Sequence, residues 1–365
     1  MKDFCSFRVI ILTTITSGIL VFAVVFLNSI TSIKETAPSW GYDSSHIAVT
    51  VNNDATFSKE RFEQQLLSDS RIKNYAWLDV FTGILPNKAQ QPLHINIDIV
   101  EGSYDDVGYE NIMGRNPSLR NEIAIGVNVA SALNKSLGDM IDVYIKGKQH
   151  SLLITGIYQA IANKSTSARI TAEVVKVHNS DYSASKISLI NLHNETQADQ
   201  VVTELKEKFK DSIDAETQQT LLDSVYKVVI AVFIIPLSVM GILFLTVTCI
   251  IIFSVSRINV RKESSTYGIY KSLGMTSANI RWSITSGICI LSTLGSIIGI
   301  FVGIKLIPLS LKIILLEYGL IELPLVVNWP MSIAIACLSI VASCIGCWVA
   351  TRVIAKTSPR ILIVE

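Results

Sequence analysis

Four stretches of the chain are continuously apolar, and a long block of mixed polar and apolar sequence separates the first stretch from the other three. The apolar stretches are residues 9–27, 228–254, 283–304 and 332–351, and none of them contains Asp, Glu, Lys or Arg. A helix rises about 1.5 Å per residue, so each stretch is long enough to cross roughly 30 Å of hydrocarbon. The pattern therefore predicts a membrane protein with four transmembrane α-helices.

Residues 28–226 alternate short strand patterns with helix patterns, which is typical of an α+β domain. The sequence thus predicts a large α+β domain between transmembrane helices 1 and 2. The strand candidates are residues 46–51, 75–82, 94–100, 122–127, 141–145, 151–158 and 186–192. The helix candidates are residues 58–68 and 196–209, and residues 87–92 and 163–167 are predicted to be loops.

The end of this block leads into the second apolar stretch. Residues 211–226 contain no Pro or Gly, which favours one helix that continues from the domain into the membrane. An ordinary break near Asp211 or Ile213 is the alternative.

Positive charge next to the apolar stretches predicts the orientation. Basic residues concentrate in residues 1–8, in the 255–282 loop and in residues 352–365, whereas the 305–331 loop balances two lysines with two glutamates. Both termini and the 255–282 loop are therefore expected to be cytoplasmic. Residues 28–226 and 305–331 are then extracytoplasmic, and the first apolar stretch is expected to remain as an anchor rather than a cleaved signal peptide.

Composition and motifs exclude several classes of function. Half of the residues are hydrophobic, and the charge of the 28–226 block leans acidic without a basic stripe, so nucleic acid is not expected as a partner. The sequence has no phosphate-binding G-x-x-x-x-G-K-[ST] loop and no ordered catalytic motif. We therefore expect no enzyme activity, no catalytic residue, no metal site and no cofactor held by this chain itself.

Small residues recur every fourth position along the third apolar stretch. Gly287, Gly295, Gly299 and Gly303 share one face with Ser283, and only Leu291 interrupts the register. Such a strip lets another helix backbone approach closely. The strip predicts helix packing, either at an interface with a second membrane subunit or within one four-helix subunit.

The 255–282 loop contains a short amphipathic pattern. Tyr267, Ile269, Tyr270 and Leu273 follow helical spacing, and Gly274 is suited to end the helix. Thr276 is a good N-cap for the next helix. The pattern predicts a short helix along the inner membrane face, and a simple interfacial anchor is the alternative interpretation.

The run from Tyr267 to Ile280 resembles the corresponding loop of FtsX-like ABC transporter permeases, the group that includes MacB, LolC and LolE. The C-terminal residues 355–362 are similar to that family's ending. In the 28–226 block, Gly114-Arg-Asn-Pro117, Asn121-Glu-Ile123, Ala130, Gly138-Asp139 and residues 154–159 resemble the family's MacB-like core domain.

This resemblance implies a permease that works with separate ATP-binding subunits. It implies that Tyr267, Gly268, Ile269, Tyr270, Leu273 and Gly274 couple the chain to the ATPase. It also implies two ABC ATP-binding subunits that hold the ATP and Mg²⁺, and a second permease copy or paralogue. The family commonly has an acidic residue two positions before the loop glycine, where this chain has Thr266.

The expected function is that of a permease in a bacterial cytoplasmic membrane that exports or removes peptides, antimicrobials or lipid-linked molecules. The alternative is an FtsX-like mechanical signal transducer that acts on an extracellular partner, such as a cell-wall hydrolase, without transport. A membrane-anchored receptor without an ATPase is the third possibility. Membrane lipids are expected partners in all three.

Overall fold

The computed structural model describes residues 2–32, 36–53, 56–87, 91–221, 232, 234–322 and 325–356. The chain divides into two units. The helical unit comprises Met1–Thr31, Val228–Leu311 and Leu325–Glu365, and the sheet unit comprises Ser32–Lys227 and Lys312–Pro324. The connection between the third and fourth apolar helices thus belongs partly to the sheet unit.

The helices and strands are numbered here in chain order. The helices are α1 (Lys2–Thr31), α2 (Lys59–Ser68), α3 (Val127–Leu133), α4 (Ala172–Lys176), α5 (Ala198–Phe209), α6 (Ile235–Lys262), α7 (Ser264–Ser272), α8 (Ser277–Phe301), α9 (Ile307–Leu315), α10 (Trp329–Ala350) and α11 (Arg352–Lys356). The strands are β1 (Ile47–Val51), β2 (Ile72–Leu85), β3 (Leu93–Glu101), β4 (Met113–Gly114), β5 (Glu122–Gly126), β6 (Met140–Ile145), β7 (Lys148–Tyr158), β8 (Ser167–Thr171), β9 (Ile187–Leu192) and β10 (Ile213–Thr217).

Four helical stretches are long and apolar enough to cross a membrane. They are Phe7–Ser29, Ile235–Lys262, Ser277–Ile313 and Trp329–Ile354. The third stretch continues beyond residue 304, because α8 passes through a π-helical turn at Val302–Leu306 into α9. Lys305 consequently lies inside a helix, not at the start of a loop.

The ten strands form one mixed sheet in the order β10-β1-β9-β2-β3-β8-β5-β7-β4, and β6 pairs with both β2 and β7. Strands β2, β3, β8, β5, β7 and β6 therefore close into a ring of pairings. The pairs β3/β8 and β5/β7 are parallel, and the others are antiparallel. Ring closure leaves few unpaired strand edges, which protects such a sheet from pairing with other chains.

The core of the sheet unit is built from the inward positions of these strands. On β6 the burial alternates strictly, with Ile141, Val143 and Ile145 inside. Helices α2 and α5 add Phe62, Leu66 and their neighbours to the same core. Because the inside positions of β6 are Ile and Val, residues that favour strands also fill this part of the core.

The predicted fold class is confirmed: the described residues include four helices that are long and apolar enough to cross a membrane, with the sheet domain between helix 1 and the later helices. All seven predicted strands and both predicted helices of this domain are present. The sequence pattern missed β4, β8 and β10, and the short helices α3 and α4. β8 was missed because it has only two apolar residues, Ala168 and Ile170, and its central residue is the charged Arg169, although all five of its residues are buried.

One continuous helix over residues 211–226 was a wrong prediction. Residues 213–217 form β10, which pairs antiparallel with β1 and alternates buried and half-buried or exposed positions. The alternative, a break near Ile213, is correct. The absence of Pro and Gly permitted a helix, but burial of Ile213 and Ala215 against the core stabilises the strand. Residues 218–221 are helical, and residues 222–231 lie outside the described part of the chain.

Candidate functional site

The short helix α7 follows α6 after a break at Glu263. Its end is set by Gly274, which has φ +93°, a conformation that favours glycine. The N–H groups of Gly274 and Met275 donate to the carbonyls of Lys271 and Tyr270 and so close the last turn. The side chain of Thr276 then accepts from the N–H of Asn279, which caps α8 as predicted.

One face of α7 is fixed to the ends of neighbouring helices. The Tyr267 hydroxyl donates to Glu263 Oε2 at 2.8 Å, and its ring packs on a buried cluster of Val260, Ile280 and Ile354. Burial and the nearby Glu263 carboxylate raise the pKa of Tyr267. Gly268 is buried on the same side, and Lys271 Nζ donates to the carbonyl of Ile354 at 2.6 Å.

The opposite face of α7 is apolar and exposed. Leu273 is 76% exposed, Ile269 is 51% exposed and Tyr270 is 41% exposed. A group of neighbouring exposed apolar side chains on a short helix is typical of an interaction surface. We call Ile269, Tyr270 and Leu273 the α7 ridge. Tyr267 and Gly268 lie on the inward face and Gly274 ends the helix, so the six residues implied by the resemblance occupy three kinds of position.

Basic residues surround the ridge in the sequence. Residues 257–281 contain Arg257, Arg261, Lys262, Lys271 and Arg281, and Glu263 is their only carboxylate. Glu263 already accepts from Tyr267. Thr266, at the position where the family commonly has an acidic residue, is exposed and uncharged. A partner at this surface therefore meets an apolar centre with positive charge around it.

Three glycines of the small-residue strip lie against α1. A Cβ at Gly295 would come within 1.9 Å of Thr13 Oγ1, and one at Gly299 within 2.7 Å of Ser17 Cβ. A Cβ at Gly303 would lie 2.6 Å from the carbonyl oxygen of Gly18. These three glycines therefore allow close packing of α8 on α1 within a single subunit, the second of the two interpretations.

Gly287 differs from the other members of the strip. No heavy atom outside its own helix lies within 4 Å of a Cβ built there, among the residues that the structure describes. Its surroundings are open, so none of the described residues makes the contact that the strip predicts at this position.

Hydroxyl pairs join the packed helices of the helical unit. Thr16 and Thr248 share a hydrogen bond of 2.7 Å, and Ser296 and Ser339 share one of 2.8 Å. All four side chains are buried. Because an unpaired hydroxyl in an apolar surrounding is costly, these pairs fix which helix faces meet.

Within the sheet unit, two segments that lead to the apolar helices are attached at the same place, residues 159–165, which we call the docking segment. Gln159 makes four hydrogen bonds there. Its Oε1 accepts from the N–H groups of Ile321 and Glu322, both at 2.9 Å. Its Nε2 donates to the carbonyls of Ser39 and Glu322, both at 2.7 Å.

Ser165 completes the docking segment. Its hydroxyl, fully buried, donates to the carbonyl of Gly319 at 2.9 Å. Asn163, Lys164 and Ser165 all have φ between 51° and 55°, an uncommon conformation for residues other than glycine. These contacts maintain the conformation and place the segment against Gly319, where a Cβ would lie 2.5 Å from Ser165 Cβ.

A buried arginine fixes the segment that follows α1. Arg169 is enclosed between the rings of Tyr158 and Tyr109, with its guanidinium carbon 3.8 Å and 4.5 Å from their centroids. It donates to the carbonyls of Gly41 and Glu110. The N–H of Ile161 also donates to the carbonyl of Trp40. Sequence reasoning missed Arg169 because a charged residue inside β8 conceals the strand pattern.

The residues of the core-domain resemblance have structural roles. Arg115 forms an ion pair with the buried carboxylate of Glu122 through two hydrogen bonds. Glu122 also accepts from the N–H groups of Ser118 and Leu119. These donors, Arg115 first, lower the pKa of Glu122 to about 2. Gly114 has φ +77°, and a Cβ there would lie 2.1 Å from a backbone oxygen.

Among the described residues, no group of three or more His, Cys, Asp or Glu side chains could hold a metal ion. The geometry instead supports binding at the α7 ridge and mechanical linkage at the docking segment.

The C-terminal part of the chain matches a known protein family. Residues 238–359 match the model of the FtsX-like permease C-terminal family. An uncharacterized ABC transporter permease protein of Mycobacterium tuberculosis is 22% identical over 189 residues, which cover 51% of this chain and 22% of that protein. The chain therefore spans about a fifth of the length of this curated relative.

Solved structures resemble the sheet unit. The periplasmic region of MacB from Actinobacillus actinomycetemcomitans is 15% identical, with a TM-score of 0.40, and the match covers 51% of this chain and 94% of that one. The extracellular domain of the ABC-type transporter YknZ from Gram-positive bacteria is 15% identical, with a TM-score of 0.36, and the match covers 47% of this chain and 98% of that one. Residues 238–359 are thus similar to the FtsX-like permease C-terminal family, and about half of the chain is similar to an uncharacterized ABC transporter permease protein.

Proposed function

We propose that this chain is the permease subunit of an ATP-driven transporter that passes ATPase movement to an extracytoplasmic sheet unit. Two separate ABC ATP-binding subunits hold the ATP and Mg²⁺, and a second permease copy or paralogue completes the assembly. The observation that carries the proposal is the α7 ridge. Its three apolar side chains are exposed, although the helix that bears them is fixed on its other face.

The residues packed on the inward face of α7 connect this helix to several others, so a force on the ridge reaches all of them. The cluster under Tyr267 takes Val260 from α6, Ile280 from α8 and Ile354 from α11. Lys271 adds a hydrogen bond to the carbonyl of Ile354. Movement of α7 is thus transmitted to the ends of three helices at once.

The sheet unit receives this movement through chain segments that lead to the helices. Two of them, residues 36–41 after α1 and residues 316–322 before α10, are bonded to the docking segment through Gln159. The docking segment follows β7 directly in the chain, and β7 belongs to the closed ring of strands. A force on either attached segment is therefore passed to the ring through β7. A ring of this kind moves as one body, which suits a domain that acts on molecules outside the membrane.

The proposed location is a bacterial cytoplasmic membrane, with both termini and α7 in the cytoplasm. The positive charge at one end of the helices supports this orientation: Arg257, Arg261 and Lys262 end α6, Arg281 begins α8 and Arg352 begins α11. The proposed cargo is a peptide, an antimicrobial or a lipid-linked molecule, and this choice follows from the resemblance alone.

The test replaces Leu273 with Asp in the full chain, expressed together with its ATP-binding subunit. A carboxylate in the centre of an apolar contact is expected to abolish co-purification of the subunit, or to make ATP hydrolysis independent of the permease. Leu67→Asp is the matched control, because Leu67 is 75% exposed on α2 in the sheet unit. Unchanged coupling in Leu273→Asp would contradict the docking role of the ridge.

A further experiment distinguishes transport from pure mechanical signalling. Cells that lack the chain are expected to retain the cargo, and the full chain is expected to restore its removal. If removal is unchanged while the sheet unit captures a cell-wall hydrolase, the chain is a transducer and the proposed cargo is wrong.

A further inference from the structure

A pair of tryptophans and an arginine lie where α8 begins and α10 ends. The ring centroids of Trp282 and Trp348 are 5.1 Å apart. The guanidinium carbon of Arg281 lies 3.9 Å from the centroid of the Trp348 ring. These three side chains are separate from the α7 ridge, and the packing of the small-residue strip does not use them.

Arg281 is held in one orientation. Its Nη2 donates to the carbonyl of Trp348 at 3.1 Å, and its Nε donates to Thr351 Oγ1 at 3.5 Å. A guanidinium has five N–H donors in a planar fork, so these contacts leave donors without an acceptor among the described residues. Arg281 is only half-buried, and its free donors can reach an anion beside the helices.

The surface beside Arg281 is suited to an acyl chain. Trp282 is 64% exposed, and Ser286, one turn further along α8, is also exposed. Deeper along the same two helices, Cys289 contacts Cys344 and joins α8 to α10. Ile290 continues the exposed apolar side of α8 towards the middle of the span. Tryptophan is enriched where a spanning helix reaches the lipid headgroups.

The charge at this end of the helices selects an anion. Within the four spans the charged residues at this end are Arg8, Arg257, Arg261, Lys262, Arg281 and Arg352, and they include no carboxylate. Basic groups between spanning helices attract anionic lipid headgroups, with roughly 1 kcal/mol for each Lys or Arg near the surface.

We propose that Arg281, Trp282 and Trp348 form a binding site for one anionic phospholipid. The phosphate accepts hydrogen bonds from Arg281, and an acyl chain lies over Trp282 and along α8. The site goes beyond the proposed permease role and does not depend on an ATPase, so either proposal can fail without the other.

The test uses the full chain in phosphatidylcholine vesicles and measures quenching of tryptophan fluorescence by lipids with brominated acyl chains. Brominated phosphatidylglycerol is expected to reach half of its maximal quenching at about fivefold lower mole fraction than brominated phosphatidylcholine. The Trp282→Phe variant is expected to lose this excess quenching. Equal quenching by the two lipids in the unsubstituted chain would overturn the proposal without any variant.

Two arginine variants and one control identify the anion-binding group. Arg281→Gln is expected to abolish the preference for phosphatidylglycerol, whereas Arg281→Lys, which keeps the charge and loses the planar fork, retains part of it. Lys305→Gln removes a positive charge from the opposite end of the same helix and is expected to leave the preference unchanged. If Arg281→Gln keeps the full preference for phosphatidylglycerol, that preference comes from general surface charge and the proposed site is wrong.

Inorganic phosphate distinguishes a lipid from a free anion. At constant ionic strength, added inorganic phosphate is expected to leave the quenching by brominated phosphatidylglycerol unchanged. If phosphate removes the preference, the site recognises a soluble anion and the lipid assignment is wrong.

Discussion

Glu122 shows how one side chain can determine a local fold. It begins β5, and its carboxylate is nearly fully buried while it accepts from Arg115 and from two backbone N–H groups. Hydrogen bonds to a charged group contribute about 1.5–3 kcal/mol. The loop between Arg115 and Glu122 therefore depends on this one carboxylate.

We expect Glu122→Gln to lower the local stability of β5 and β7 by about 2 kcal/mol, because the amide loses the charge-assisted bonds. Hydrogen exchange of the β5 and β7 amides measures this change. Glu173→Gln is the control, since Glu173 pairs with Lys176 at the surface and is 60% exposed. Equal exchange in the unsubstituted chain and Glu122→Gln would show that the carboxylate is dispensable.

The same carboxyl predicts a pH dependence. Its pKa in the folded chain is about 2, below the ordinary value of 4.5, so the folded state favours the charged form. The stability that it contributes is complete above pH 4.5 and is lost as the pH falls towards 2. Hydrogen exchange corrected for intrinsic rates is expected to show β5 weakening across this range in the unsubstituted chain. In Glu122→Gln this part of the pH dependence should be absent.

The sequence alone could single out residues such as Glu122 and Tyr267, but it could not show which contacts their side chains make. The resemblance included Arg115 and Glu122, but the ion pair between them required coordinates. Tyr267 and Tyr270 lie three positions apart in one short helix and look alike in the sequence, yet one packs inward and the other is half exposed. Only the positions of α6, α8 and α11 decide which side of α7 is free.

At the scale of elements, the glycine strip provides a matched pair of positions on one helix. Gly299 lies against α1, and Gly287 is open. We expect Gly299→Leu to destabilise the folded chain in detergent by about 2 kcal/mol or more, because α1 must move away. Gly287→Leu is expected to change stability by less than about 0.5 kcal/mol.

Thermal unfolding of both purified variants measures the difference. A Gly287→Leu variant as unstable as Gly299→Leu would mean that the loss of stability does not come from contact with α1.

The docking segment predicts a second effect at this scale. Gln159→Ala removes four hydrogen bonds that attach two chain segments, so the amides of Ile321 and Glu322 should exchange at least roughly tenfold faster. Gln149→Ala is the control, because Gln149 accepts only from the Tyr144 hydroxyl at the surface. Unchanged exchange at residues 321 and 322 would show that the attachment is held by Ser165 alone.

The elements that sequence predicted well are those with a clear period. The apolar helices have long uninterrupted apolar runs, and strands β6 and β7 alternate buried and exposed positions, so their locations in the chain were predicted. β10 was missed because polar residues alternate with Ile213 and Ala215 over only five positions, directly before a helix-favouring run. Its strand state depends on pairing with β1, more than 160 residues earlier, and such long-range contacts leave no local signal.

For the whole molecule, the orientation of the sheet unit decides the function. If it lies outside the cytoplasm, a cysteine introduced at exposed Ser180 will react with a membrane-impermeant maleimide in intact cells. A cysteine at exposed Ser265, on α7, will react only after the membrane is opened. The unsubstituted chain gives the background from its own cysteines. Labelling of Ser265→Cys in intact cells, without labelling of Ser180→Cys, would reverse the proposed topology.

The closed ring of six strands has a mechanical consequence. In an open sheet, a force on one strand can unzip its neighbours one bond at a time, starting from the edge. In the ring, each of the six strands is hydrogen-bonded to a neighbour on both sides. A force on β7 is therefore shared among the hydrogen bonds of several strand pairs at once. The ring of strands is therefore expected to resist tearing better than an open sheet of the same size.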